Sequence, residues 1–194
     1  MTEIADIKDR DSFKAWLEET NQPRKVCVAL AARAASRVLP VVWAVASKSG
    51  QFSVLPILRA TLVAGVAGLA PRGVLTDRGH ASALLAADAA SAAARAAWAA
   101  LRSDCQQLQE GAELGSRALF PDATPYAIAS HWAAVQQRPG GSEWEFWLNW
   151  YRRLLEGRPQ NWPLLFEIAI QDDAFWQGSD AEINARIAEI VAKH

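Results

Sequence analysis

Cysteine and histidine are scarce in this chain, with two and three respectively among 194 residues. A chain of that length buries its own core, so Cys27 and Cys105 are expected as reduced, buried or half-buried thiols rather than as a disulfide frame. His80, His131 and His194 lie far apart. The sequence has no Cys-x-x-Cys pair, no His-Glu-x-x-His helix and no carboxylate-rich calcium loop, so no metal is expected. Gly65-Val66-Ala67-Gly68 lacks the Gly-Lys-Ser/Thr ending of a phosphate-binding loop, and no cofactor is expected either. The N-terminus mixes Glu3, Asp6, Lys8, Asp9, Arg10 and Asp11, unlike a basic-then-apolar signal peptide, and the expected location is a bacterial cytoplasm.

Acid is absent between Glu19 and Asp77. Arg24, Lys25, Arg33, Arg37, Lys48, Arg59 and Arg72 are all positive there, while from Glu143 onward nine acids face five bases. Net charge is only −1, which gives no global case for nucleic acid. The polarity nonetheless suits steering of a partner, pairing of the chain's own halves, or head-to-tail self-association. Arg24, Lys25, Arg33, Arg37 and Arg59 form the candidate anion-binding set. Arg33 and Arg37 stand one helical turn apart, although the basic density is modest for nucleic acid.

What the chain does have is helical patterning. A helix is predicted over Ser12 to Glu19. Asn21 is expected to cap the next one, which should end or kink at Pro40. Val41 to Ala46 reads equally as helix or strand. Residues 26 to 46 and 51 to 71 are apolar, but Arg33, Arg37, Arg59 and internal prolines make a membrane hairpin expensive; peripheral contact with an anionic surface is the milder alternative.

Ala81 to Ala100 contains thirteen alanines. With Asp77 as cap, a long helix from about Arg78 to Glu110 is predicted as the centre of the fold, with Trp98 on its charged face. Pro139-Gly140-Gly141 is the clearest break. It divides the chain into an expected helical bundle domain over 1–139 and a three-helix module over 142–194.

That module holds five of the nine tryptophans. Ser142 with Glu145, and Ser179 with Glu182, have the spacing of capping boxes. Trp144, Trp147, Leu148, Tyr151, Leu154 and Leu155 form one stripe, and Gly157 should end the helix that carries it. Asn161 and Pro163 should restart a helix, and Ile183, Ile187 and Ile190 should face inward on the last one. The string from Phe146 to Tyr151, then from Leu154 to Pro159 and Trp162, resembles a C-terminal element of bacterial helical proteins, and it implies no activity.

Catalytic readings are thin. Cys105 with His131 lacks an orienting group, and Asp172-Asp173 reads as a loop cap rather than a carboxylate site. The expected fold is therefore all-α, an irregular helical bundle with a long central Ala-rich helix and a small Trp-rich C-terminal module. The expected work is protein–protein interaction, as adaptor, accessory subunit or regulatory partner. Its anchors would be Trp98, Trp144, Trp147, Trp150 and Arg153, because aromatics and arginine carry most interface energy. The same tryptophans would serve equally as core. Alternatives are nucleic-acid or anionic-membrane-surface binding through 20–76, or a small enzyme with an unrecognised site.

Overall fold

A computed structural model of the chain describes residues 3–49, 53–70, 92–137 and 141–194. Within them the fold is an irregular all-α bundle of eight α-helices: α1 (Arg10–Glu19), α2 (Arg24–Ser49), α3 (Leu55–Leu69), α4 (Ala92–Gln109), α5 (Tyr126–Gln136), α6 (Glu145–Glu156), α7 (Trp162–Ala169) and α8 (Asp180–Val191). The expected helix from Arg78 is seen only from Ala92; Arg72, Asp77, His80, Pro139 and Gly140 lie outside the described residues.

Local chemistry accounts for most of the boundaries. Asp9 opens α1 by accepting from the Ser12 N–H at 2.8 Å. Asn21 does not cap α2. It takes a left-handed φ of 48° and closes α1, with Gln22 N–H reaching back to the Leu17 carbonyl at 3.3 Å. Asparagine tolerates that conformation better than most residues, which is why the residue reads as a cap of either kind. Helix α2 neither ends at Pro40 nor yields to a strand after it. Proline inside a helix costs about 3 kcal/mol. Burial of Leu30 and Ala35 before it, and of Trp43, Ala44 and Ala46 after it, outweighs that.

Helix α2 packs against α3, α4 and α5 and so sits in the middle of the described bundle. Small residues set its approach to α3. A Cβ placed on Gly68 would lie 2.4 Å from the Ala29 backbone nitrogen, so the two helices touch through main chain there.

The two predicted capping boxes part company. Ser179 accepts from Glu182 N–H, and Glu182 accepts in return from Ser179 N–H at 2.8 Å. Ser142 instead falls in a 3-10 turn, Gly141–Trp144, and α6 begins at Glu145 with no side-chain cap. Gly157 closes α6 with a φ of 67°, and a Cβ there would also strike the Ala118 backbone. Asn161 caps α7 through the Leu164 N–H.

A large core cluster joins Trp43, Leu58, Trp132, Trp144, Trp147, Tyr151, Ile168 and Ile187, drawing on α2, α3 and α5 to α8 together. A smaller one gathers Ile7, Phe13, Trp16, Leu30, Leu101 and Cys105 at the N-terminal end.

Candidate functional site

Three places concentrate polar or aromatic chemistry. The first is a buried seam. Arg33 and Arg37 lie on the inward face of α2, and Asp104 lies on that of α4; their exposures are 2%, 0% and 3%. Arg33 grips both carboxylate oxygens of Asp104, from Nε at 2.9 Å and Nη2 at 3.1 Å. Its remaining N–H groups donate to the carbonyls of Leu114, Arg117 and Ala118. Arg37 donates from Nη2 to Asp104 Oδ2 at 2.5 Å and from Nε to the Leu119 carbonyl at 2.6 Å. Burial pushes the Arg37 guanidinium down to about 10, against the pull of Asp104, and it remains protonated at neutral pH. Through these carbonyls the seam ties the segment 114–119, which opens with a 3-10 turn over Leu114–Ser116, to α2. Two of the residues expected to grip an external phosphate thus face inward. Their acid partner comes from α4, not from the acidic C-terminal third.

Asp104 was missed at the level of sequence, though a signal existed. Ala97, Ala100, Leu101, Asp104, Cys105 and Leu108 share one helical stripe, so a single acid interrupts an apolar face. Of the other members of the basic set, Arg24 is exposed, and Lys25 donates to the Ala70 carbonyl at 2.8 Å.

The second place is the aromatic cluster. Trp144, Trp147 and Trp150 are 3%, 0% and 4% exposed. Trp147 Nε1 donates to Asn184 Oδ1 at 2.9 Å, and its ring meets Trp150 edge-on at 5.7 Å. Trp43 lies 5.7 Å from Trp144 and 6.4 Å from Trp132. These side chains occupy the core and present no free aromatic patch. Trp98 is half-buried against Phe13, with centroids 6.1 Å apart. Arg153 is exposed and donates from Nε and Nη2 to the Pro159 carbonyl, which ties the turn after α6.

The third place is an open cleft of about 520 Å³ between the start of α3, the end of α7 and the start of α8. Leu55, Pro56, Ala60, Val63, Ala169, Ile170, Trp176 and Ile183 give it an apolar lining, and Ser53, Arg59 and Asp180 supply polar points. Ser53 Oγ accepts from the Leu55 N–H at the foot of α3 and donates to Asp180 at 2.6 Å, joining the starts of α3 and α8. Arg59 lies over the Trp176 ring at 5.0 Å and pairs with Asp173 at 2.7 Å. Asp172 caps the same loop by accepting from the Phe175 N–H at 2.9 Å. Ile170 is 46% exposed at the cleft and Ile57, on α3, is 38% exposed. Nothing in the tryptophan pattern points here, because the cleft brings α3 against the consecutive helices α7 and α8, about a hundred residues further along the chain.

The catalytic readings gain little. Cys105 is fully buried, and burial with the adjacent Asp104 carboxylate pushes its thiol up to about 12, which removes the thiolate. His131 has Nδ1 at 2.6 Å from the Ala127 carbonyl of its own helix. Among the described residues no group of three or more His, Cys, Asp or Glu side chains is placed to hold a metal ion. Among the described residues one helix, Arg24–Lys48, has the length and apolarity to cross a membrane, and most of its apolar window is buried inside the bundle. No known family model, curated protein or solved structure matches the chain.

Proposed function

We propose that the chain is a protein-interaction module, an adaptor or accessory subunit, and that the cleft between α3, α7 and α8 is where its partner docks. The observation that carries this reading is an apolar hollow of about 520 Å³ left open at the surface, with Ile170 46% exposed at its edge. Binding energy at interfaces concentrates where a pocket accepts an apolar or aromatic anchor beside a polar point that fixes its orientation. Trp176 supplies the aromatic wall, and Arg59 supplies the polar point. Trp147 of α6 backs the Trp176 wall, with ring centroids 6.4 Å apart.

The test is affinity capture from the native host lysate with and without nuclease, using the wild-type chain and an Ile170→Asp variant of unchanged helicity. A stoichiometric protein partner, insensitive to nuclease and lost with Ile170→Asp, is the expected outcome. A nuclease-sensitive complex, equal capture by both chains, or no partner at all overturns the assignment.

A further inference from the structure

The rim of the surface cleft carries more charge of one sign than of the other. Helix α3 brings a single charged residue to it, Arg59. From Glu167 to Arg186 the chain holds Glu167, Asp172, Asp173, Asp180 and Glu182 against Arg186 alone. Glu167 meets His194 at 2.8 Å. The other four carboxylates belong to the cleft or its edge. Asp180 lines the hollow, and Asp173 pairs with Arg59, which lines it too. Glu182 and Arg186 reach the lining at Gly178, where a Cβ would lie 2.7 Å from Glu182 Oε2 and 3.4 Å from Arg186 Nη2. Asp172 stands next to Asp173 in the same loop.

The two signs are presented differently. Both guanidiniums lie against rings, Arg59 over Trp176 at 5.0 Å and Arg186 over Phe175 at 5.6 Å. Arg186 also donates from Nη2 to the Gln177 carbonyl, and its Nε is buried. The Arg59 side chain is 28% exposed, whereas that of Asp173 is 84% exposed. Asp172 and Glu182 are exposed as well. Asp172 accepts from the Phe175 N–H and Glu182 from the Ser179 N–H; these neutral donors orient the carboxylates without cancelling their charge. Four carboxylates thus stand outward around two guanidiniums held against the protein. Rim charge acts on a partner by complementarity, since opposite charge speeds and orients docking and like charge opposes it.

Taking the cleft as the docking site, we propose that its partner presents an apolar side chain flanked by lysine or arginine. The apolar residue enters the hollow between Val63, Ile170 and Ile183, and its basic neighbours meet Asp172, Asp173 and Glu182 at the rim. A segment flanked by acids would bring like charge to that rim and meet Arg59 already paired.

A random peptide library displayed on phage supplies the probe. Panning on the wild-type chain, with depletion on an Ile170→Asp variant of wild-type helicity, recovers peptides that need the cleft. The expected peptides carry an apolar residue with lysine or arginine close by in sequence. Cleft-dependent peptides with acidic flanks, or with no charge bias, overturn the basic partner and leave the cleft as a docking site. Failure to recover any peptide that distinguishes the two chains overturns docking at the cleft itself, and the partner class with it. Fluorescence anisotropy of a recovered, labelled peptide then reads the rim directly. Its Kd should rise with salt, because exposed charges are screened over about 10 Å at 0.1 M and about 3 Å at 1 M. Asp173→Asn, which alters a side chain largely in water, should weaken binding roughly two- to five-fold, the effect of one exposed charge pair. Affinity indifferent to both changes overturns the proposal. So does tighter binding by Asp173→Asn, the result that an acidic partner competing for Arg59 would give.

Discussion

Arginine meets aspartate in two settings in this chain, and the settings differ in nearly every physical respect. In the core, Arg33 and Arg37 converge on Asp104 with side-chain exposures of 2%, 0% and 5%. At the cleft, Arg59 meets Asp173 at 2.7 Å, but the aspartate side chain is 84% exposed. The distances are alike. Solvent is what separates them. In the seam each charge has given up its hydration and depends on the others, whereas at the cleft the Asp173 carboxylate keeps most of its water. Geometry alone therefore says little about what an ion pair contributes. The first set is buried on every side; the second has its carboxylate in water.

The sharpest way to break this contrast is Asp104→Asn, which keeps the shape and removes the charge. Two guanidiniums then share a site with no carboxylate. The expected loss is about 3–5 kcal/mol, the usual penalty for stranding a buried charge. Urea unfolding of wild type and variant measures it. A loss below about 1 kcal/mol would place the seam in the same class as the surface pair.

How far the sequence foretells these two sites follows from what each depends on. Helix phase was legible: Ile183 and Ile187 on α8, and Trp147 and Tyr151 on α6, fall inward as their spacing predicts. Chain ends written in local chemistry were legible too, as at Gly157 and Ser179. Ser142 and Asn21 show the limit. A cap motif names a residue that ends a helix, while the neighbouring chain decides whether it does so, and at which end. The tryptophans were ambiguous for a different reason, since core and interface favour the same residue types. Asp104 and the cleft needed tertiary knowledge. The seam joins positions about seventy apart, and the cleft joins α3 to α8 across more than a hundred residues.

Between the two extremes lies the Ser179–Glu182 box, exposed yet directional. Ser179→Ala removes a cap worth about 0.5–2 kcal/mol. Its pH dependence distinguishes it from an ion pair. The Ser179 backbone and hydroxyl donors hold the Glu182 carboxyl below its ordinary value of 4.5. A carboxyl depressed in the folded state contributes stability that is fully present above its unfolded pKa and lost as pH falls through its folded one. The difference in melting temperature between wild type and Ser179→Ala should thus be largest near neutrality and shrink below about pH 4.5. A gap that stays constant down to pH 2 would mean that the hydroxyl acts without the carboxylate.

The smallest effect is expected at the cleft. Asp173→Asn should change unfolding free energy by roughly 0–1 kcal/mol, because an exposed carboxylate repays little for being held. Arg59 loses a partner but keeps its place over Trp176, where cation–π contact and the packing of its stem persist. Stability and binding should therefore separate. If a partner's acidic group competes with Asp173 for Arg59, Asp173→Asn frees the guanidinium and tightens capture, while Arg59→Met weakens it. Isothermal titration with the captured partner, beside urea unfolding of both variants, reads the two quantities apart. Weakening by both substitutions would instead make the Arg59–Asp173 pair itself part of the docking surface, held intact in the complex as it is in the free chain.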